Sequence, residues 1–305
     1  ASGNITLGSN TSIGGANAIT LSGIIDDGVN TYAITKVGAG TTTLTGANTY
    51  GGNTTINAGT LVLSGSGTLG NNTSTLTISS ATLDIQNGAK TVGALVMNGT
   101  SPAITNSTGT SSLIVSGTST LAGSVTTSST QLYTGNVTLG AATTLTGTTI
   151  TTNGTIVGGS NSLTITGNAV FGNETTDTVT GLTTLSVSGT STINTSTVTS
   201  SSTQLFTGNL TLGTDVTLTG STITTNGTIV GGTHALTVTG NAVFGDGTAD
   251  TVTGLTTLSV SGTTTINTST VTSSGTQTYS GAVTLGTGVT MTTTSNGNIS
   301  FGSSI

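Results

Sequence analysis

The sequence predicts an all-β fold: a right-handed parallel β-helix (β-solenoid), rich in Thr, Ser and Gly, of roughly 12 coils. Three observations predict it. The chain is short of charge, with 3% charged residues and a single proline, Pro102, among 305 residues. Disordered segments carry much charge or much proline, so an ordered chain is expected, and its abundant Thr, Val and Ile favour extended backbone. The chain is also short of large side chains, with no Trp and four each of Tyr and Phe. That is too little for a compact core of this length, whereas a thin core stacked layer on layer needs only small and branched residues. The third observation is internal repetition.

The repeat is read directly. Leu163 to Gly172 returns nearly unchanged as Leu236 to Gly245, and Asp177 to Gly189 returns as Asp250 to Gly262. Gln131, Gln204 and Gln277 are equally spaced. The unit is about 73 residues long, with partial copies starting near 111, 184 and 257. Within it a shorter pattern, Gly-Asn-x-x-x-Gly, occurs at Gly135–Gly140, Gly167–Gly172, Gly208–Gly213 and Gly240–Gly245. Each instance reads as one short strand bounded by turn residues. A β-sandwich would want about 100 residues and a larger core. Coils of about 20 to 30 residues place about three in each unit. Alternation puts Val, Ile and Leu inside, as at Leu212 and Leu218, with Thr, Ser and Asn outside.

Two segments follow: residues 1–110, and residues 111–305 built from the long repeat. Both ends begin or stop in mid-pattern, so a piece of a longer chain is expected. No secretion signal opens the sequence, and no apolar run is long enough to span a membrane.

In the first segment, the residues from Lys36 through Gly38, Gly40, Gly46, Asn48, Thr49, Tyr50, Gly51, Gly52 and Gly59 to Leu63 resemble the autotransporter-associated β-strand repeat, within about 30–65. Its pattern runs K-x-G-x-G-T-L-x-L-x-G-x-N-T-Y-T-G-G-T-x-I-x-x-G-T-L-x-L. One residue is missing here between Tyr50 and Gly51, which implies a shortened turn. The resemblance implies a passenger-type parallel β-helix, secretion, and display at the bacterial cell surface. The outer-membrane barrel of that family is not visible in this chain.

Chemistry is sparse. The net charge is −6, with Lys36 and Lys90 as the only Lys or Arg. Nucleic acid needs several cationic contacts, so neither it nor an anionic lipid surface is an expected partner. Asp26-Asp27 reads as a solvated turn before Gly28. His234 aligns with Asn161 of the preceding copy, as an exposed turn and not a catalytic base. No second His or Cys is available for a transition metal. Glu174 with Asp177, and Asp246 with Asp250, are the calcium candidates, since carboxylates in one loop can share an ion, but plain surface loops are the expected reading. Asn-x-Ser/Thr triplets at Asn53, Asn136, Asn209 and Asn226 are expected by chance in so Thr-rich a chain.

The expectation is therefore no enzyme, no cofactor and no metal. The chain is read as an extracellular stalk, filament or surface-lattice component that associates with further copies or with the rest of its own chain. An adhesin binding surface glycans or proteins is the alternative. Ice binding through Thr-x-Thr rows, as at Thr217 and Thr219 or Thr237 and Thr239, is a minor one, because uneven coil lengths are expected to spoil a regular lattice.

Overall fold

The computed structural model describes residues 1–286 and 288–305. It is an all-β parallel β-solenoid without helices among the described residues. Two compact units, Ala1–Ile150 and Thr151–Ile305, divide the chain.

In the first unit, strands stack in parallel register at steps of 18 to 24 residues. Ile19 pairs with Thr42, Thr42 with Leu61, Leu61 with Leu83, and Leu83 with Ile104. The same rungs bring Leu21, Leu44, Leu63 and Ile85 into one column, of which Leu44, Leu63 and Ile85 are buried. Alternation along each strand sends its neighbours outward.

In the second unit three strands make a turn. Ser191–Ile193, Thr197–Ser200 and Thr203–Phe206 follow one another, and Leu210–Leu212 returns to pair with Ser191–Ile193. Leu212 and Leu218 point inward, as expected. One interior column runs Val198, Leu218, Val238, Val260, Tyr279 and Phe301. It ends in the stacked rings of Tyr279 and Phe301, 5.4 Å apart. This thin core of branched and occasional aromatic side chains explains the scarcity of large residues.

The number of turns is about 15, more than the 12 expected. A turn is shorter than the assumed coil because each side needs only a few strand residues and a corner. Turn length varies at the corners and not along the sides. Leu210 to Ile229 is a step of 19 residues, and Ile229 to Val252 is a step of 23, the longer one containing the loop around Asp246–Asp250.

The 73-residue repeat does not close on a whole number of turns. From Gln204 the register passes through Ile223 and Ala242 to Thr264, three full turns on one side. Gln277 lies further along the chain, on the side that carries Leu236 and Leu258. Between them lie eleven strand-to-strand steps on a three-sided coil, or three and two-thirds turns. Equivalent residues of these successive copies therefore occupy different sides.

Each repeat glutamine is fully buried and holds a corner together. Gln131 Nε2 donates to the carbonyls of Val125 (3.0 Å) and Thr146 (2.8 Å). Gln204 does the same to Val198 and Thr219, and Gln277 to Val271 and Thr292. The amide oxygen accepts from a tyrosine two residues on: Tyr133 to Gln131 at 2.9 Å, and Tyr279 to Gln277 at 3.1 Å. In the middle copy Phe206 takes the place of that tyrosine, and the buried Gln204 Oε1 has no partner. Phe206→Tyr is expected to supply the missing donor and to stabilise the protein by about 1 kcal/mol. The urea midpoint should rise, and an unchanged or lower midpoint would refute the assignment.

Candidate functional site

The Gly-Asn pattern builds corners. Asn168 Oδ1 accepts the N–H of Thr190 (2.9 Å), Asn209 that of Thr228 (3.1 Å), and Asn241 that of Thr263 (2.9 Å), each one turn later. Asn53 bonds Thr75 N in the same way in the first unit. The glycine beside each asparagine of the repeat lets adjacent turns approach. The N–H of Gly262 donates to the carbonyl of Gly240 at 2.9 Å, and a Cβ on Gly262 would meet that backbone at 2.6 Å. Two of the Asn-x-Ser/Thr triplets, at Asn53 and Asn209, thus use their amide oxygens to bridge turns. The sequence signal for this role is the glycine preceding each asparagine of the repeat.

Asp26 ends the strand Ile25–Asp26 and Asp27 follows it, and only Asp26 has the solvated character expected of the pair. Asp27 is buried. Its Oδ2 accepts the N–H groups of Tyr32 (2.8 Å) and Gly51 (2.9 Å). The reading of Asp27 as a solvated turn residue is therefore corrected. It ties its own turn to the shortened turn after Tyr50, one rung on. Gly51, the residue that opens this turn, is the one whose N–H reaches the carboxylate.

The two lysines are buried as well. Lys36 stands in an interior column between Ile13 and Ile56. Its ammonium donates to the carbonyls of Val37 (3.0 Å), Gly38 (2.8 Å) and Ala58 (3.0 Å), so all three donors are used. Lys90 Nζ donates to Gly67 O at 2.8 Å. It lines a small cleft with Thr68, Leu69, Asn72, Ala89 and Thr91 that has room for about one water. Burial lowers the pKa of both lysines. Both are thus withdrawn from the surface.

The acidic loops have their own internal logic. Asp177 Oδ2 accepts the N–H of Asn173 (3.3 Å) and Glu174 (3.2 Å). Asp250 Oδ2 accepts those of Asp246 and Gly247, both at 3.2 Å. In each copy the second carboxylate folds its own loop by accepting backbone N–H groups. The two loops occupy different corners of the second unit, because the repeat steps from side to side. Among the described residues, no three of His, Asp and Glu gather as metal ligands.

His234 lies within the strand Ile229–Phe244, beside a corner where Gly232 and Thr233 have positive φ. Its Nδ1 is 3.6 Å from Asp215 Oδ1. That oxygen also accepts the N–H of Ala235 at 2.8 Å. The histidine is half-buried, a corner position more than an open turn. The pair is ionic when the imidazole is protonated.

Comparison with known proteins gives one finding. Residues 34–63 match the passenger-associated-transport-repeat family. Lys36 and Tyr50 lie in this segment, and Asp27 is tied to it through Gly51. No curated protein and no solved structure has a significant match to the chain. The repeat and the parallel solenoid together support a surface passenger-like structural domain.

Proposed function

We propose that this chain is a scaffold segment of a bacterial surface passenger, and that it works by associating laterally with further copies of itself. The observation that carries the reading is the three and two-thirds turns per repeat. Near-identical surface, including the loops around Asp177 and Asp250, is presented on more than one side of the second unit. A single kind of contact can then be made in more than one direction, which is what a lattice or bundle requires. Low surface charge supports the same reading, because few like charges oppose close approach.

Several of the charged and polar side chains serve the coil. Lys36, Asp27, Tyr50 and the repeat glutamines hold it together, and the matched repeat points to a structural role. Sedimentation velocity over a hundredfold concentration range tests the proposal. Concentration-dependent assemblies are expected, weakened by Thr175→Arg together with Thr248→Arg at equivalent loops. A single monomeric species at every concentration would refute self-association and leave adhesion to another surface as the better reading.

A further inference from the structure

The outward residues of the three sides of the second unit differ. One side shows a column of Thr164, Ser186, Leu205, Thr224, Val243 and Thr265. A second shows Val170, Thr192, Thr211, Val230 and Thr253. Both are interrupted by aliphatic side chains. The third shows Thr178, Thr197, Thr217, Thr237, Ser259, Thr278 and Ser300, a hydroxyl on every one of seven successive rungs. A parallel column, Thr199, Thr219 and Thr239, runs beside it two residues along the strand.

The geometry of this array is set by the backbone. Rungs lie about 4.8 Å apart, and residues two apart on a strand about 6.6 Å apart. Uneven turn lengths do not disturb it. The steps between successive column members vary from 19 to 22 residues, yet register on this side is continuous, since the extra residues sit at corners. The expectation that uneven coils spoil a regular array therefore fails on this side. Five of the seven column residues are threonines, whose branched side chains have few χ1 choices, which favours a repeated hydroxyl orientation. These residues are half-buried between neighbouring rungs, except Thr239 and Ser300, which are exposed. None of the seven column hydroxyls makes a hydrogen bond within the chain among the described residues. No charged side chain falls in the column.

We propose that this third side binds ordered water, and specifically the surface of an ice crystal. A column of hydroxyl groups that are not engaged internally, continuous over seven rungs, holds first-layer waters at fixed spacings with little ordering cost. Isolated ligands gain nothing from seven evenly spaced hydroxyls, whereas a crystalline surface meets all of them at once. This function is independent of lateral self-association, which uses the repeat loops.

The test is uptake of fluorescently labelled protein into a slowly grown ice hemisphere, with thermal hysteresis measured on the same samples. The wild-type chain is expected to be enriched in the ice and to lower the freezing point below the melting point. Thr217→Tyr with Thr237→Tyr should abolish both, while Thr224→Tyr with Thr265→Tyr, on another side, should keep them. Exclusion of the wild type from ice would overturn the proposal whatever the variants do. So would equal loss in both double variants with circular dichroism unchanged. Binding to crystalline cellulose or chitin without uptake into ice would overturn it too, and would assign the array to a polysaccharide surface.

Discussion

Raising the pH beyond 10 is expected to unfold the protein steeply, with Tyr50, Tyr133 and Tyr279 ionising only as the coil comes apart. Tyr50, Tyr133 and Tyr279 are completely buried. Burial pushes each phenol above its ordinary value of about 10, and at Tyr50 the bond to Thr54 offsets this in part. The native state thus keeps three protons that the unfolded chain gives up. Stability from these groups is full below pH 10 and is lost as pH rises from there toward the native values. Each group removes about 1.4 kcal/mol per pH unit in that window, so the three together remove about 4 kcal/mol per unit.

The lysines act in the opposite direction over a lower window. Lys36 and Lys90 have lowered pKa values in the folded state, so the native chain releases their protons before the unfolded chain does. Stability from this source rises with pH until the unfolded lysines also titrate near pH 10.4. Above that point only the tyrosines act. Tyrosinate absorbance should therefore climb together with loss of the β signal in circular dichroism. Tyr133→Phe should reduce the steepness by about a third. Titration of Tyr50, Tyr133 and Tyr279 near pH 10, with the β signal intact, would refute their burial.

Much of this fold is legible in the sequence because strand period and repeat length are both one-dimensional signals. The inward places of Leu212 and Leu218 follow from alternation, and the passenger repeat at 34–63 follows from its spacing of Gly, Asn and Tyr. The count of turns is not legible, since corner length is set by how closely backbones pack and not by any residue pattern. The role of Asp27 is hidden for a related reason. In sequence it is one of two adjacent acids before a glycine, and only the parallel stacking brings Gly51 N to its carboxylate. The stepping of the repeat around the coil is hidden too. It depends on eleven strands being divided by three sides, and the number of sides is a property of the folded chain. For the candidate surfaces, the Thr-x-Thr rows are visible as isolated motifs. Their alignment into one uninterrupted column requires the register.

Replacing Lys36 by methionine is expected to loosen the first unit more than any surface change. The lysine side chain fills an interior column, and methionine matches its length and apolar stem, so the packing is nearly preserved. What is lost is the ammonium and its bonds to the carbonyls of Val37, Gly38 and Ala58. Those bonds join two successive turns, since Ala58 follows the strand Thr54–Ile56 that stacks on Ile34–Val37. Hydrogen bonds to a charged group are worth about 1.5–3 kcal/mol each, and leaving buried carbonyls unpaired has a comparable cost. Removal of the charge also relieves its desolvation, so the net loss expected is about 3 kcal/mol. Amide hydrogen exchange of peptides spanning 34–63 should accelerate accordingly, while exchange around Gln204 and Gln277 should not change. Asp26→Asn, at the partly exposed neighbour of Asp27, serves as the control and should leave both regions protected. If Lys36→Met exchanged as slowly as the wild type, the lysine would be an inert filler of the core and not the clasp between turns, and the motif lysine of the repeat would need another explanation.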